Sequence, residues 1–307
     1  MIAPLTGHQT GAGGADSLPR RMAAWWSNFW FAPAPAINLA AARVIFSLHA
    51  LWILGSLDLA AISGVPDVFW AEVSRGERWR YLLFPGNVSL EYVLQWTTFA
   101  ALIAAAIGVW PRVACFCAGL LLYHLAPLET IFWTPNPFER GFTVDVLALL
   151  ALSFSRCGDA LSLVPRRATP TPSGDYQWPL RLVQLLLCQI YFIAGYAKLA
   201  LAGPGWVSAE NIGRWMLVFS QQDQIIVSSQ IGIWLADRPM VCWLIGISSL
   251  SLDLGLITMV VWPRLRKWLI PAVLLFHAGI LLTMGILFLN IPQLLIFVDW
   301  ASLRRKR

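Results

Sequence analysis

Apolar residues in this chain run in long continuous blocks, separated by short stretches in which Pro, Arg and Trp gather. A membrane-crossing helix needs roughly 20 apolar residues, fewer where neighbouring helices shield it. Eight blocks approach that requirement: 37–57, 90–110, 112–132, 142–155, 179–202, 239–262, 267–284 and 286–301. The blocks do not alternate apolar and polar residues as barrel strands would. Lipid offers no partner to backbone N–H and C=O groups, so each block is read as a helix that satisfies its own. The fold class expected is all-α: a polytopic integral membrane helical bundle of about eight transmembrane helices.

The stretches between blocks refine this picture. Trp110-Pro111-Arg112 predicts a tight hairpin between the second and third spans, and the Pro/Thr/Ser-rich 163–178 reads as a linker. Segment 212–235 carries scattered polar residues, including Ser220-Gln221-Gln222-Asp223-Gln224, and is expected at the membrane interface. Residues 1–30 open Gly- and Ala-rich, with two Arg and no apolar core of a signal peptide, and predict a disordered cytoplasmic tail. The expected organisation is this tail, a transmembrane domain over 31–302 and a basic cytoplasmic tail at 303–307.

Composition agrees. The 307 residues are 58% hydrophobic and 12% charged, with a mean hydropathy of +0.65, whereas soluble domains carry about 25% charge. The 17 Trp suit the membrane–water boundary. The net charge of +6 is scattered among short loops rather than gathered in a patch, which argues against a nucleic-acid partner and makes the bilayer the partner instead. Of the 22 Lys and Arg, Arg43 and Lys198 fall inside spans. With eight spans and both termini cytoplasmic, 14 of the rest lie inside and 6 outside, as the positive-inside rule requires of a multi-pass protein of the cytoplasmic (inner) membrane.

Ionisable residues within spans need a reason, because a charge at mid-bilayer costs at least ~2.5–3.5 kcal/mol. Arg43 and Asp253 carry opposite charge, and their sequence positions put them in one leaflet; they are expected to form a structural ion pair. Gln184, Cys188, Tyr191, Gly195 and Lys198 form one helical stripe facing the bundle. Lys198 lies ~26 Å along the helix from Arg181, toward the outer surface. It either snorkels to the headgroups or serves as a base in apolar surroundings, with Gly195 leaving room for a ligand. Gln184, His124, Asp145 and His277 are candidates for a polar cavity. No H-E-x-x-H or similar signature is present, so no metal is expected, and no phosphate-binding glycine loop or G-x-S-x-G occurs. The five Cys form no disulfide framework.

A series of short motifs resembles the horizontally transferred transmembrane (HTTM) domain, the membrane portion shared with vitamin K-dependent γ-carboxylases. Leu39-Ala-Ala-Ala-Arg43-Val-Ile-Phe resembles its first helix. Asn136-Pro137, Gly141, Asp145 and Leu161-Ser162-Leu163 follow in the family's order. So do Gln189-Ile-Tyr-Phe-Ile-Ala-Gly195-Tyr-Ala-Lys198-Leu199, Trp206, Asp253-Leu254-Gly255 and Phe276-His277. The resemblance spans roughly 37–300 and implies that Lys198 is a base, as the matching lysine is in the carboxylases. Ala197 stands where those enzymes carry a second lysine, and their large extramembrane domain has no counterpart, so γ-carboxylation is not expected. The expected function is a membrane-embedded reaction on a quinol-like or lipid-linked substrate, a quinone-like molecule being the implied cofactor, with Lys198 as base and Tyr191 as its hydrogen-bonding partner. The alternatives are a non-enzymatic membrane partner for the maturation or export of a small secreted peptide, and a transporter, although no inverted repeat supports the latter.

Overall fold

The structure, a computed structural model, describes residues 18–56, 66, 68, 88–125, 142–164, 170–220 and 230–305. These residues are helical with no strand among them, apart from one antiparallel bridge between Ala34 and Ser173. The helices are α1 (Leu18–Phe31), α2 (Ala36–Gly55), α3 (Val88–Ile107), α4 (Pro111–Leu125), α5 (Thr143–Ser153) and α6 (Gly174–Ala202). After a 3-10 turn at Gly203–Val207 follow α7 (Ala209–Ser220), α8 (Gln230–Ala236), α9 (Pro239–Gly255), α10 (Thr258–Val261) and α11 (Arg266–Met284). A 3-10 helix at Ile291–Phe297 and α12 (Trp300–Arg305) complete the order.

Among the described residues four helices are long and apolar enough to cross a membrane: Ala36–Gly55, Ser89–Ile107, Gly174–Val207 and Pro263–Met284. A fifth arises if α8 and α9, bent by 107° at their junction, count as one span. The predicted spans 112–132 and 142–155 correspond to the shorter apolar helices α4 and α5. Polarity is inverted relative to a water-soluble domain. Arg43, Asp145, Gln184 and Gln293 are almost wholly enclosed, while Trp96, Leu201 and Leu275 stand out from the surface. Buried charge with exposed aliphatic side chains is the arrangement expected where lipid is the solvent.

Two expectations change at the ends of the chain. Within the predicted tail 1–30, Leu18–Phe31 is a helix that packs on α6, and residues 1–17 lie outside the described residues. Trp25, Trp26, Phe29 and Trp30 give it a continuous aromatic ladder, with Trp25 and Phe29 stacked at 5.6 Å. The predicted span 286–301 is not an α-helix. α11 stops at Gly285, whose φ of 67° only glycine adopts without strain, and the chain then turns back along α2. Its carbonyls are met by side chains: His49 Nε2 lies 2.9 Å from Leu289 O, Gln184 Nε2 donates to Ile296 O (3.1 Å) and Arg266 Nη1 to Phe297 O (3.3 Å). The segment 212–235 takes in most of α7 and α8, with Ile212 and Met216 buried in a small core against Cys242 of α9. Asn136, Pro137, Gly141 and the polar run after Ser220 lie outside the described residues.

Candidate functional site

Helix α9 approaches α6 closely because Gly195 has no side chain at their contact: a Cβ there would stand 2.9 Å from Asp253 Cβ. Gly246 of α9 does the same for the 3-10 turn that follows α6, where a Cβ would stand 2.9 Å from Val207 Cα. Small residues serve this purpose in membrane bundles, where tight packing must replace the hydrophobic drive. Gly195 therefore makes room for helix α9, not for a ligand as its place in the stripe suggested.

The close approach brings Lys198 onto α9. Its Nζ donates to Asp253 Oδ2 at 2.5 Å and to Ser249 Oγ at 2.9 Å, and lies 5.1 Å from the centre of the Trp206 ring. Ser249 and Asp253 stand one turn apart on one face of α9. The Lys198 side chain keeps 22% of its surface open, against 6% for Asp253. The lysine thus turns inward to a carboxylate instead of reaching out to headgroups.

Tyr191, one stripe position below Gly195, packs edge-on against His277 of α11, with ring centres 5.8 Å apart. His277 also meets Phe288 at 4.8 Å, and its Nδ1 lies 2.8 Å from Val273 O. The Tyr191 hydroxyl has no hydrogen-bond partner among the described residues, so it is not bonded to Lys198. It stands beside the pair as an aromatic wall.

The expected Arg43–Asp253 ion pair does not form. Asp253 is taken by Lys198, and Arg43 has no carboxylate partner among the described residues. Arg43 instead grips the turn after α5: Nη1 donates to Cys157 O (3.0 Å) and Ser162 Oγ (3.2 Å), and Nη2 to Leu161 O. Two of the short motifs, Arg43 and Leu161-Ser162, are therefore one structural contact. Carbonyl and hydroxyl oxygens thus take both terminal nitrogens of the planar fork, while the buried Nε finds no acceptor among the described residues.

The four residues expected to share a polar cavity each have a partner of their own. Asp145 faces His49, with Nδ1 at 2.8 Å from Oδ2, and takes a hydrogen bond from Gln293 Nε2 at 3.0 Å. His49 Nε2 faces Leu289 O, and its Nδ1 also lies 3.1 Å from Gln293 Nε2, so His49, Asp145 and Gln293 form one buried group. His124 meets Glu91 at 3.1 Å, joining α4 to α3. Gln184 joins α6 to the 286–301 segment and to Arg266, while His277 sits with Tyr191.

Ser249, Trp206, Glu91 and Gln293 complete these groups. Ser249 had a sequence signal in its one-turn spacing from an intramembrane aspartate, and Trp206 in its place after the Lys198 stretch. Gln293 had none, because no helical period runs through a 3-10 segment. No group of three His, Cys, Asp or Glu suited to a metal occurs among the described residues. Comparison with protein-family models, curated proteins and solved structures finds no match to this chain.

Proposed function

We propose that this chain is an HTTM-type enzyme of the cytoplasmic membrane that acts on an apolar substrate, quinol-like or lipid-linked, with Lys198 and Asp253 as its proton-accepting unit. The observation that supports the reading is the 2.5 Å contact between Lys198 Nζ and Asp253 Oδ2, roofed by Trp206 and partly open. A lysine that is to accept a proton must first give one up, and Asp253 is the group in place to receive it. Tyr191, His277 and Trp206 give the surroundings an aromatic character that suits a planar apolar ring. In this reading the chain crosses the membrane eight times with both termini cytoplasmic. α4 and α5 are short crossings shielded by neighbours, and 286–301 is the last.

The test combines organic extraction of the purified protein with Lys198→Arg. Arg can hold the ion pair with Asp253 but stays protonated. A quinone or isoprenoid lipid that co-purifies with the native chain, together with loss of its turnover in Lys198→Arg, supports the proposal. An extract free of such molecules, and a Lys198→Arg chain that restores cells lacking the protein, would leave the pair as a structural clamp. A non-enzymatic role beside a small secreted peptide would then be the better reading.

A further inference from the structure

At the opposite end of α6 lies a cavity of about 660 Å³, bounded by the starts of α2, α6 and α11 and by the segment leading into α12. Arg181 and Arg266 both line it, with Gln184, Asn38, Asp299 and Ser302. Each guanidinium is already oriented by neutral acceptors. Arg181 Nη1 donates to Val260 O at 2.6 Å, and with the Gln177 amide turned its oxygen accepts from Nε (2.8 Å) and Nη2 (3.1 Å). Arg266 donates through Nε to Met259 O (3.1 Å), through Nη1 to Phe297 O and through Nη2 to Gln184 Oε1 (3.3 Å). A guanidinium has five N–H groups, so two remain on each. Neither makes an ion pair among the described residues. Asp299, the single carboxylate on the wall, instead accepts from Asn38 Nδ2 at 3.0 Å. Two positive charges thus share a recess with one negative charge, which leaves the wall net positive. Partly buried like charges side by side are unfavourable unless an anion joins them.

We infer that this cavity binds a phosphate-bearing anion, which the two arginines clamp from either side. Guanidinium groups suit phosphate because their fork matches two of its oxygens. The volume falls within the range of small-molecule pockets. The end of the bundle where it opens also carries Arg264 and Lys267, positive charge suited to anionic headgroups. The site is separated from Lys198 by the length of α6 and does not depend on the reading of that residue.

The test follows thermal unfolding of the full chain in a neutral detergent while phosphatidylglycerol, phosphatidylcholine or inorganic phosphate is added. A ligand that binds the folded state raises Tm with its concentration. A rise with phosphatidylglycerol but not phosphatidylcholine identifies a headgroup, and a rise with inorganic phosphate alone identifies a soluble phosphate. In either case Arg181→Gln and Arg266→Gln should weaken the apparent affinity about tenfold or more, as expected for loss of a charged hydrogen-bonding partner. Replacing residues 304–307 with Gln should leave it unchanged. Should the arginine variants fail to fold, Ser302→Phe fills the recess from its exposed rim and should abolish the shift with both arginines in place. No shift of the native chain by any of these ligands overturns the inference. So does a shift that survives the arginine variants and Ser302→Phe, or one lost only on replacing 304–307.

Discussion

Helix α6 carries one cation near each end, and the two are held in different ways. Lys198 has a carboxylate at 2.5 Å, a hydroxyl at 2.9 Å and an indole face, so its charge is answered within the protein. Arg181 has a carbonyl, an amide and the ring of Phe29 at 5.1 Å, and its nearest cationic neighbour on the cavity wall is Arg266. The difference follows from what faces the helix. At the Lys198 end the neighbour is α9, brought close by Gly195 and bearing Asp253. At the Arg181 end the neighbour is the carbonyl-rich chain around Val260 and Phe297. A satisfied charge can act only by exchanging its proton with its partner, whereas an unanswered one is free to hold something from outside.

Five variants probe this contrast. The largest effect belongs to Asp253→Ala, which leaves the Lys198 ammonium without its counter-charge and should cost ~3–5 kcal/mol. Lys198→Met combined with Asp253→Leu should lose less than either single change. Denaturant unfolding in detergent measures both, and additive losses would break the claim that the two act as a unit. Gly195→Leu comes next. Its side chain must push against Asp253 and Leu254, and overpacking of this kind costs about 1–3 kcal/mol. The same variant should shorten the lifetime of an engineered cysteine cross-link between α6 and α9. Arg181→Gln should cost ~1–2 kcal/mol, the worth of leaving Val260 O unpartnered. If it proves as damaging as Asp253→Ala, the two ends are not different in kind. Tyr191→Phe should change stability by less than ~0.5 kcal/mol, because the hydroxyl has no partner among the described residues to lose. Any fall in turnover in that variant then reports contact with a substrate.

How far the sequence could anticipate this depends on periodicity. The all-helical fold and the long spans were legible, because apolar blocks of sufficient length leave few other structures in lipid. The stripe through Gln184, Tyr191, Gly195 and Lys198 was legible for the same reason: a regular helix fixes which residues share a face. The partners were not. Arg43 and Asp253 were matched by sign and estimated depth, neither of which says which helix α9 packs against. The close approach at Gly195 then decides that Asp253 meets Lys198. The segment 286–301 has the composition of a helix and the geometry of a 3-10 strap, and the residues that hold it, His49, Gln184 and Arg266, lie far away in sequence. Polar side chains expected to gather in one cavity were spread over separate helix contacts, each answering a nearby carbonyl or carboxylate.

The strap itself bears on how the chain is assembled in the cell. A helix can leave the insertion machinery alone, since its backbone groups are already paired, but the 286–301 segment cannot: its carbonyls at Leu289, Ile296 and Phe297 depend on α2, α6 and α11. It should therefore settle only after those helices have come together, acting as a latch on a bundle that already exists. Until it does, His49, Gln184 and Arg266 lack these acceptors, so quality-control proteases that recognise unpaired polar groups in lipid would have a marker of incomplete biogenesis.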